Sequence, residues 1–131
     1  MTAENKNNGF TVTVYTFGFK HGLPADIDMI FDARFLPNPF YVPELKHLTG
    51  LDKEIGDFLY PLPQTKEFLR LINELLAFIV EQCKSDGRDG LTAAIGCTGG
   101  RHRSVAVAKA VCDHIEAKGN QVVMFHRDIK K

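Results

Sequence analysis

The chain has 131 residues, 44% hydrophobic and 24% charged, which is enough for one domain with a single core. Sixteen basic and sixteen acidic side chains give a formal net charge of zero, so any attraction to nucleic acid or membrane must come from a local patch. No apolar run approaches the ~18–20 residues needed to span a bilayer, and Cys83, Cys97 and Cys112, without Cys-x-x-Cys spacing, fit a reducing cytoplasm and argue against disulfides or a zinc site.

Residues 1–9 read as a disordered leader with no signal-peptide apolar region, and residues 10–131 as a single domain. Thr11–Phe17 alternates β-branched and aromatic residues, as a strand does. A loop carrying Lys20 and His21 follows. Met29–Phe35 predicts a second short strand, which Leu36-Pro37-Asn38-Pro39 stops. Pro43 suits the first turn of a short helix through Leu48, Gly50 ends it, and Asp52–Leu59 predicts another. Gln64–Lys84 is the longest predicted helix, with Phe68, Leu71, Ile72, Leu75, Leu76 and Ile79 as its core stripe. Leu91–Gly96 predicts a third strand. A second long helix follows through about residue 118, with Val105, Ala108, Val111, Cys112 and Ile115 buried and Gly119 as its cap. Gln121–Phe125 predicts the last strand. Strands separated by helices predict an α/β fold: a mostly parallel sheet of about four strands with helices on both faces, in three layers.

Between the third strand and the helix lies Gly96-Cys97-Thr98-Gly99-Gly100-Arg101-His102-Arg103-Ser104. A glycine-rich turn at a helix N-terminus leaves backbone N–H groups free, and the helix dipole favours an anion there. The expected phosphate shell is the N–H groups of Gly99 to His102, the Thr98 and Ser104 hydroxyls, and Arg103, with Arg101 and His102 adding charge and donors. Asp32, Arg34 and Asn38 should gather at the same sheet edge to contact ligand hydroxyls or orient the loop. Plainer readings stand beside these: Asp32 and Arg34 pairing with each other, Asn38 capping a turn, and His102 binding a backbone carbonyl.

Cys97 and Arg103 also have the Cys-(x)5-Arg-Ser spacing of cysteine-dependent phosphatases, and a helix N-terminus beside Arg and His lowers a thiol pKa from roughly 8.5. Gly96 replaces the histidine usual before that cysteine, and no general acid is assignable. Anion binding without turnover is therefore the favoured reading. The alternatives are a phosphatase or phosphotransferase using Cys97 and Arg103, and a turn that serves only packing. Neither GxxxxGK[ST] nor GxGxxG is present, so nucleotide hydrolysis has no support and no cofactor is expected. Lys20, Arg127, Lys130 and Lys131 are candidate contacts to RNA phosphates, although no RNA-reading motif accompanies them.

Five segments in order then carry a resemblance: Phe17-Gly18-Phe19-Lys20-His21-Gly22, Phe31-Asp32-Ala33-Arg34-Phe35-Leu36-Pro37-Asn38-Pro39, Leu48-Thr49-Gly50-Leu51-Asp52, Ile95 to Val105, and His126-Arg127-Asp128. Together they closely resemble the C-terminal domain of the RapZ (YvcJ-like) family, from about residue 10 to residue 129. The resemblance implies a bacterial, cytoplasmic module that senses a sugar phosphate, glucosamine-6-phosphate in some members. It also implies RNA binding, an RNase-adapter role in part of the family, and a homo-oligomer, with a small RNA or a protein as partner and no membrane. The P-loop nucleotide-binding half of that family has no counterpart here. The start Met1-Thr2-Ala3-Glu4 leads to the expectation of a stand-alone domain.

Overall fold

The computed structural model describes residues 9–131; the expected leader, apart from Gly9, lies outside the described residues. Four strands form one sheet: β1 (Thr11–Gly18), β2 (Met29–Asp32), β3 (Gly90–Cys97) and β4 (Gln121–His126). Their order is β2-β3-β1-β4, and all neighbours are parallel. Three α-helices accompany them: α1 (Lys53–Leu59), α2 (Pro63–Ser85) and α3 (Arg103–Ala117), with short 3-10 turns at Phe19–His21 and Pro39–Tyr41. The α/β class with a four-stranded parallel sheet is as expected.

The placement of the helices differs from the expectation. Val12 and Val14 of β1 share a face with Leu91, Ala93 and Ile95 of β3, and these pack in one cluster with Ile55 of α1, Ile72 and Leu76 of α2, and Val107 and Val111 of α3. All three α-helices therefore cover one face, and the domain has two layers. Handedness explains this. The β2→β3 and β3→β4 connections step the same way across the sheet, so right-handed crossovers place α1, α2 and α3 on the same side. Only the β1→β2 connection steps back, and it is a loop. It covers part of the other face, where Phe17 and Phe19 meet edge to face at 4.8 Å.

Three local expectations also change. β2 stops at Asp32, not Phe35, because the Asp32 carboxylate accepts the Arg34 N–H at 2.9 Å and turns the chain. Pro43–Leu48 is a series of turns, not a helix. The Leu45 and Lys46 N–H groups both donate to Val42, and the stretch between Pro43 and Gly50 is too short to repay helix nucleation without packing. On α2 the buried line is Ile72, Leu76, Val80 and Cys83, whereas Leu71 and Leu75 are 50% and 45% exposed. The apolar arc is wider than the surface it meets. α3 has the opposite character: it packs on the sheet and against both of the other helices, so Val105 to Ala108 are buried consecutively.

Candidate anion-binding site

The loop from Cys97 to Ser104 is held by the segments that surround it. The Ala33 N–H donates to the Gly96 carbonyl at 2.8 Å, the Lys20 N–H to Thr98 at 3.2 Å, and the Gly50 N–H to Arg101 at 2.8 Å. The Arg101 guanidinium reaches the Ile129 and His47 carbonyls at 3.2 and 3.4 Å. The loop's carbonyls are thus taken up by its neighbours. None of the N–H groups of residues 98–102 is bonded to a backbone carbonyl among the described residues, and no side chain caps α3, whose N-cap residue is His102.

Gly100 lets the loop lie backbone to backbone against the end of β1. Its φ is +80°, and a Cβ there would sit 2.6 Å from the Gly18 nitrogen. Gly18 is needed for the same contact, since its own Cβ would fall 2.4 Å from the Gly99 carbonyl carbon. Gly100 therefore serves packing and is not on the cavity wall.

Over the loop opens a cavity of about 350 Å³, within the ~300–1,000 Å³ of small-molecule sites. Cys97, Thr98, Gly99, Arg101, His102 and Arg103 form one wall; Lys20, Asn38, Phe40, Tyr41 and Lys131 form the other. The wall holds four basic side chains, Lys20, Arg101, Arg103 and Lys131, and no Asp or Glu side chain. Asn38 does two things: its side-chain oxygen accepts the Phe40 N–H at 3.1 Å, and it lines the cavity. Phe40 and Tyr41 pack edge to face and stay largely exposed at the rim.

His102 is buried, and its Nε2 has no partner among the described residues. Burial pushes its pKa down, with the Arg101 and Arg103 charges in the same direction and the Leu48 and Lys46 carbonyls opposing. The ring is therefore neutral near pH 7.

Other expected residues do different work. Arg103 is buried, and its guanidinium donates to the Arg34 and Leu36 carbonyls at 2.6 and 3.0 Å and to the Thr98 hydroxyl at 3.3 Å. Its charge stands behind the loop while its donors pin the turn after β2. Ser104 is fully buried away from the cavity and accepts the Cys97 thiol at 3.2 Å. Asp32 and Arg34 pair with each other at 2.7 Å outside the cavity, with the Arg34 guanidinium 3.8 Å above the Phe19 ring.

Sequence reasoning missed Asp128. It is fully buried and accepts the Gly18 N–H at 2.7 Å, the Arg127 guanidinium at 2.8 Å and the Lys131 ammonium at 2.8 Å. Burial raises its pKa, but these bonds outweigh burial and hold the carboxyl well below the usual range. A lone acid within Arg127-Asp128-Ile129-Lys130-Lys131 was the available signal. Of the candidate RNA contacts, Arg127 and Lys131 are thus paired, Lys20 and Lys131 line the cavity, and Lys130 is exposed. No helix among the described residues is long and apolar enough to cross a membrane.

A family model described as the RapZ C-terminal domain matches residues 10–130. The chain is 47% identical over 128 residues to a nucleotide-binding protein of Clostridium novyi, 45% over 130 to one of Caldicellulosiruptor saccharolyticus, and 48% over 126 to one of Limosilactobacillus reuteri. These alignments cover 98%, 99% and 96% of this chain but 44%, 44% and 43% of the relatives. The chain spans less than half the length of the relatives it matches.

Proposed function

The chain belongs to the RapZ C-terminal domain family, and on that premise we propose that it is a regulatory binding module, not an enzyme. It holds a phosphorylated small molecule, an amino-sugar phosphate such as glucosamine-6-phosphate, over the Cys97–Arg103 loop. It passes that occupancy to an RNA or protein partner. The observation that carries this reading is the unbonded row of loop N–H groups beneath a cavity lined by four basic side chains and no Asp or Glu side chain. The polar Asn38 on the cavity wall offers hydrogen bonds to the rest of the ligand. The nucleotide binding named in the relatives is assigned here to the length that this chain does not span, because neither phosphate-binding glycine motif occurs in it.

Thermal shift with glucosamine-6-phosphate, inorganic phosphate and unphosphorylated glucosamine tests the reading. At 100-fold over the dissociation constant, ligand should stabilise by about 2.7 kcal/mol. Both phosphates should shift the melting point, the sugar phosphate more, and glucosamine should not. Lys20→Ala, at an exposed position, should weaken the shift without loss of fold. If all three compounds leave melting unchanged, the reading fails.

One observation favours the catalytic alternative: Cys97 is among the residues that line the cavity. Turnover of an aryl phosphate that Cys97→Ser abolishes would support a phosphatase; the binding reading expects no turnover and retained affinity in Cys97→Ser.

A further inference from the structure

Lys131 stands on the cavity wall, and the group that holds it there lies outside the cavity. A half-exposed ammonium on a four-carbon stem ordinarily samples many rotamers, and fixing it costs side-chain entropy. Here the ammonium meets the Asp128 carboxylate at 2.8 Å, and that carboxylate is fully buried.

Asp128 is itself fixed from several sides. It accepts the Gly18 N–H at 2.7 Å and the Arg127 guanidinium at 2.8 Å. A Cβ on Gly100 would fall 2.9 Å from the Asp128 Cβ, so the residue packs directly behind the turn of the loop. The backbone from Asp128 to Lys131 is also tied down. The Lys131 N–H donates to the Asp128 carbonyl at 3.1 Å, and the Arg101 guanidinium donates to the Ile129 carbonyl at 3.2 Å. Arg101 is itself on the cavity wall. The turn 128–131 thus joins two of the basic side chains that an anion would meet.

We propose that Asp128 is a positioning residue of the anion site: from behind the loop it holds the Lys131 ammonium where a bound anion meets it. This rests on the anion-binding reading given above. The charges are arranged for it. Asp128 does not line the cavity, so an anion there does not face its carboxylate. Arg127 and Lys131 together outweigh the one carboxylate, so the triad stays positive. An ammonium carries several N–H donors, so Lys131 keeps its bond to Asp128 and gives another to the anion. The coupling is reciprocal: a positioned Lys131 raises anion affinity, and a bound anion holds the turn 128–131 more firmly.

Calorimetric titration with glucosamine-6-phosphate and with inorganic phosphate tests this, read beside amide hydrogen exchange. Lys131→Met and Asp128→Asn should each weaken binding at least about fivefold. Lys131→Arg should keep most of the affinity, and Lys66→Met, an exposed lysine on α2, should change nothing. In the Lys131→Met background Asp128→Asn should cost no further affinity, whereas a purely structural Asp128 would weaken binding equally in both backgrounds. Saturating ligand should slow exchange of the 128–131 amides in the unmodified protein and not in Lys131→Met, a comparison that holds even where Asp128→Asn fails to fold. Unchanged affinity in Lys131→Met, additive losses, or no protection of residues 128–131 while the anion still binds overturns the positioning role and leaves the anion site standing. No binding by the unmodified protein overturns both.

Discussion

Asp128 holds the end of the chain against the loop. It supplies acceptors to the Gly18 N–H, Arg127 and Lys131 from a fully buried position. Asp128→Asn keeps the shape but removes the charge, and should cost about 2–3 kcal/mol in urea unfolding, the scale of hydrogen bonds to an ionised group. Gly100→Ala should cost at least about 1–3 kcal/mol, because a positive φ and a backbone contact are both violated. Two histidines set the pH response. Burial pushes the pKa of both His102 and His126 below the unfolded value. The unfolded chain therefore binds more protons below about pH 6.5, so stability is fully present above that pH and is lost as pH falls through it. Asp128 acts in the same direction but at lower pH: its carboxyl is held below the ordinary carboxylate range, so its contribution is present above that range and lost only in stronger acid, outside this window. The urea midpoint should fall between pH 7 and pH 5.5, and His102→Asn with His126→Asn should flatten the slope; an equal slope would contradict the assignment.

Among the elements, α2 separates pattern from burial. Leu75 and Leu76 are neighbours of the same type, yet one is 45% and the other 1% exposed. Leu76→Ala should destabilise by about 2–5 kcal/mol, and Leu75→Ala by about 0.5 kcal/mol or less, both read from denaturant midpoints. The sequence marked α2 as amphipathic because the 3.6-residue period is local. It did not mark which part of the arc meets the sheet, because that depends on a crossover made elsewhere in the chain. The strands were legible for a similar local reason: period-two alternation in β1 and β branching in β4 need no partner to be read. The turns at 43–48 were misread because a proline that suits a helix start also suits a turn, and only packing decides between them.

Across the whole molecule, separate sequence segments converge on one loop. Segments around Lys20, Ala33, Gly50 and Ile129 each bond to residues 96–101. The glycine-rich run with its basic neighbours was legible because the chemistry of a strand-turn-helix junction is written in consecutive residues. The duties of its side chains were not. Arg103 reads as a ligand contact by position, but it holds the Arg34 and Leu36 carbonyls, which lie 69 and 67 residues away in the chain. The single-sided placement of the helices follows from strand order, which no local window contains. What the fold produces at this junction is a set of donors held in place by the surrounding segments, so the anion binding proposed above would need little ordering of the loop.

The most direct test of that claim is an amide-detected NMR titration with glucosamine-6-phosphate. The account predicts saturable downfield movement of the Gly99, Arg101 and His102 amide protons, reproduced in part by inorganic phosphate and not by glucosamine. Saturable binding that leaves those amides unmoved and shifts signals elsewhere, or no binding at all, would contradict it.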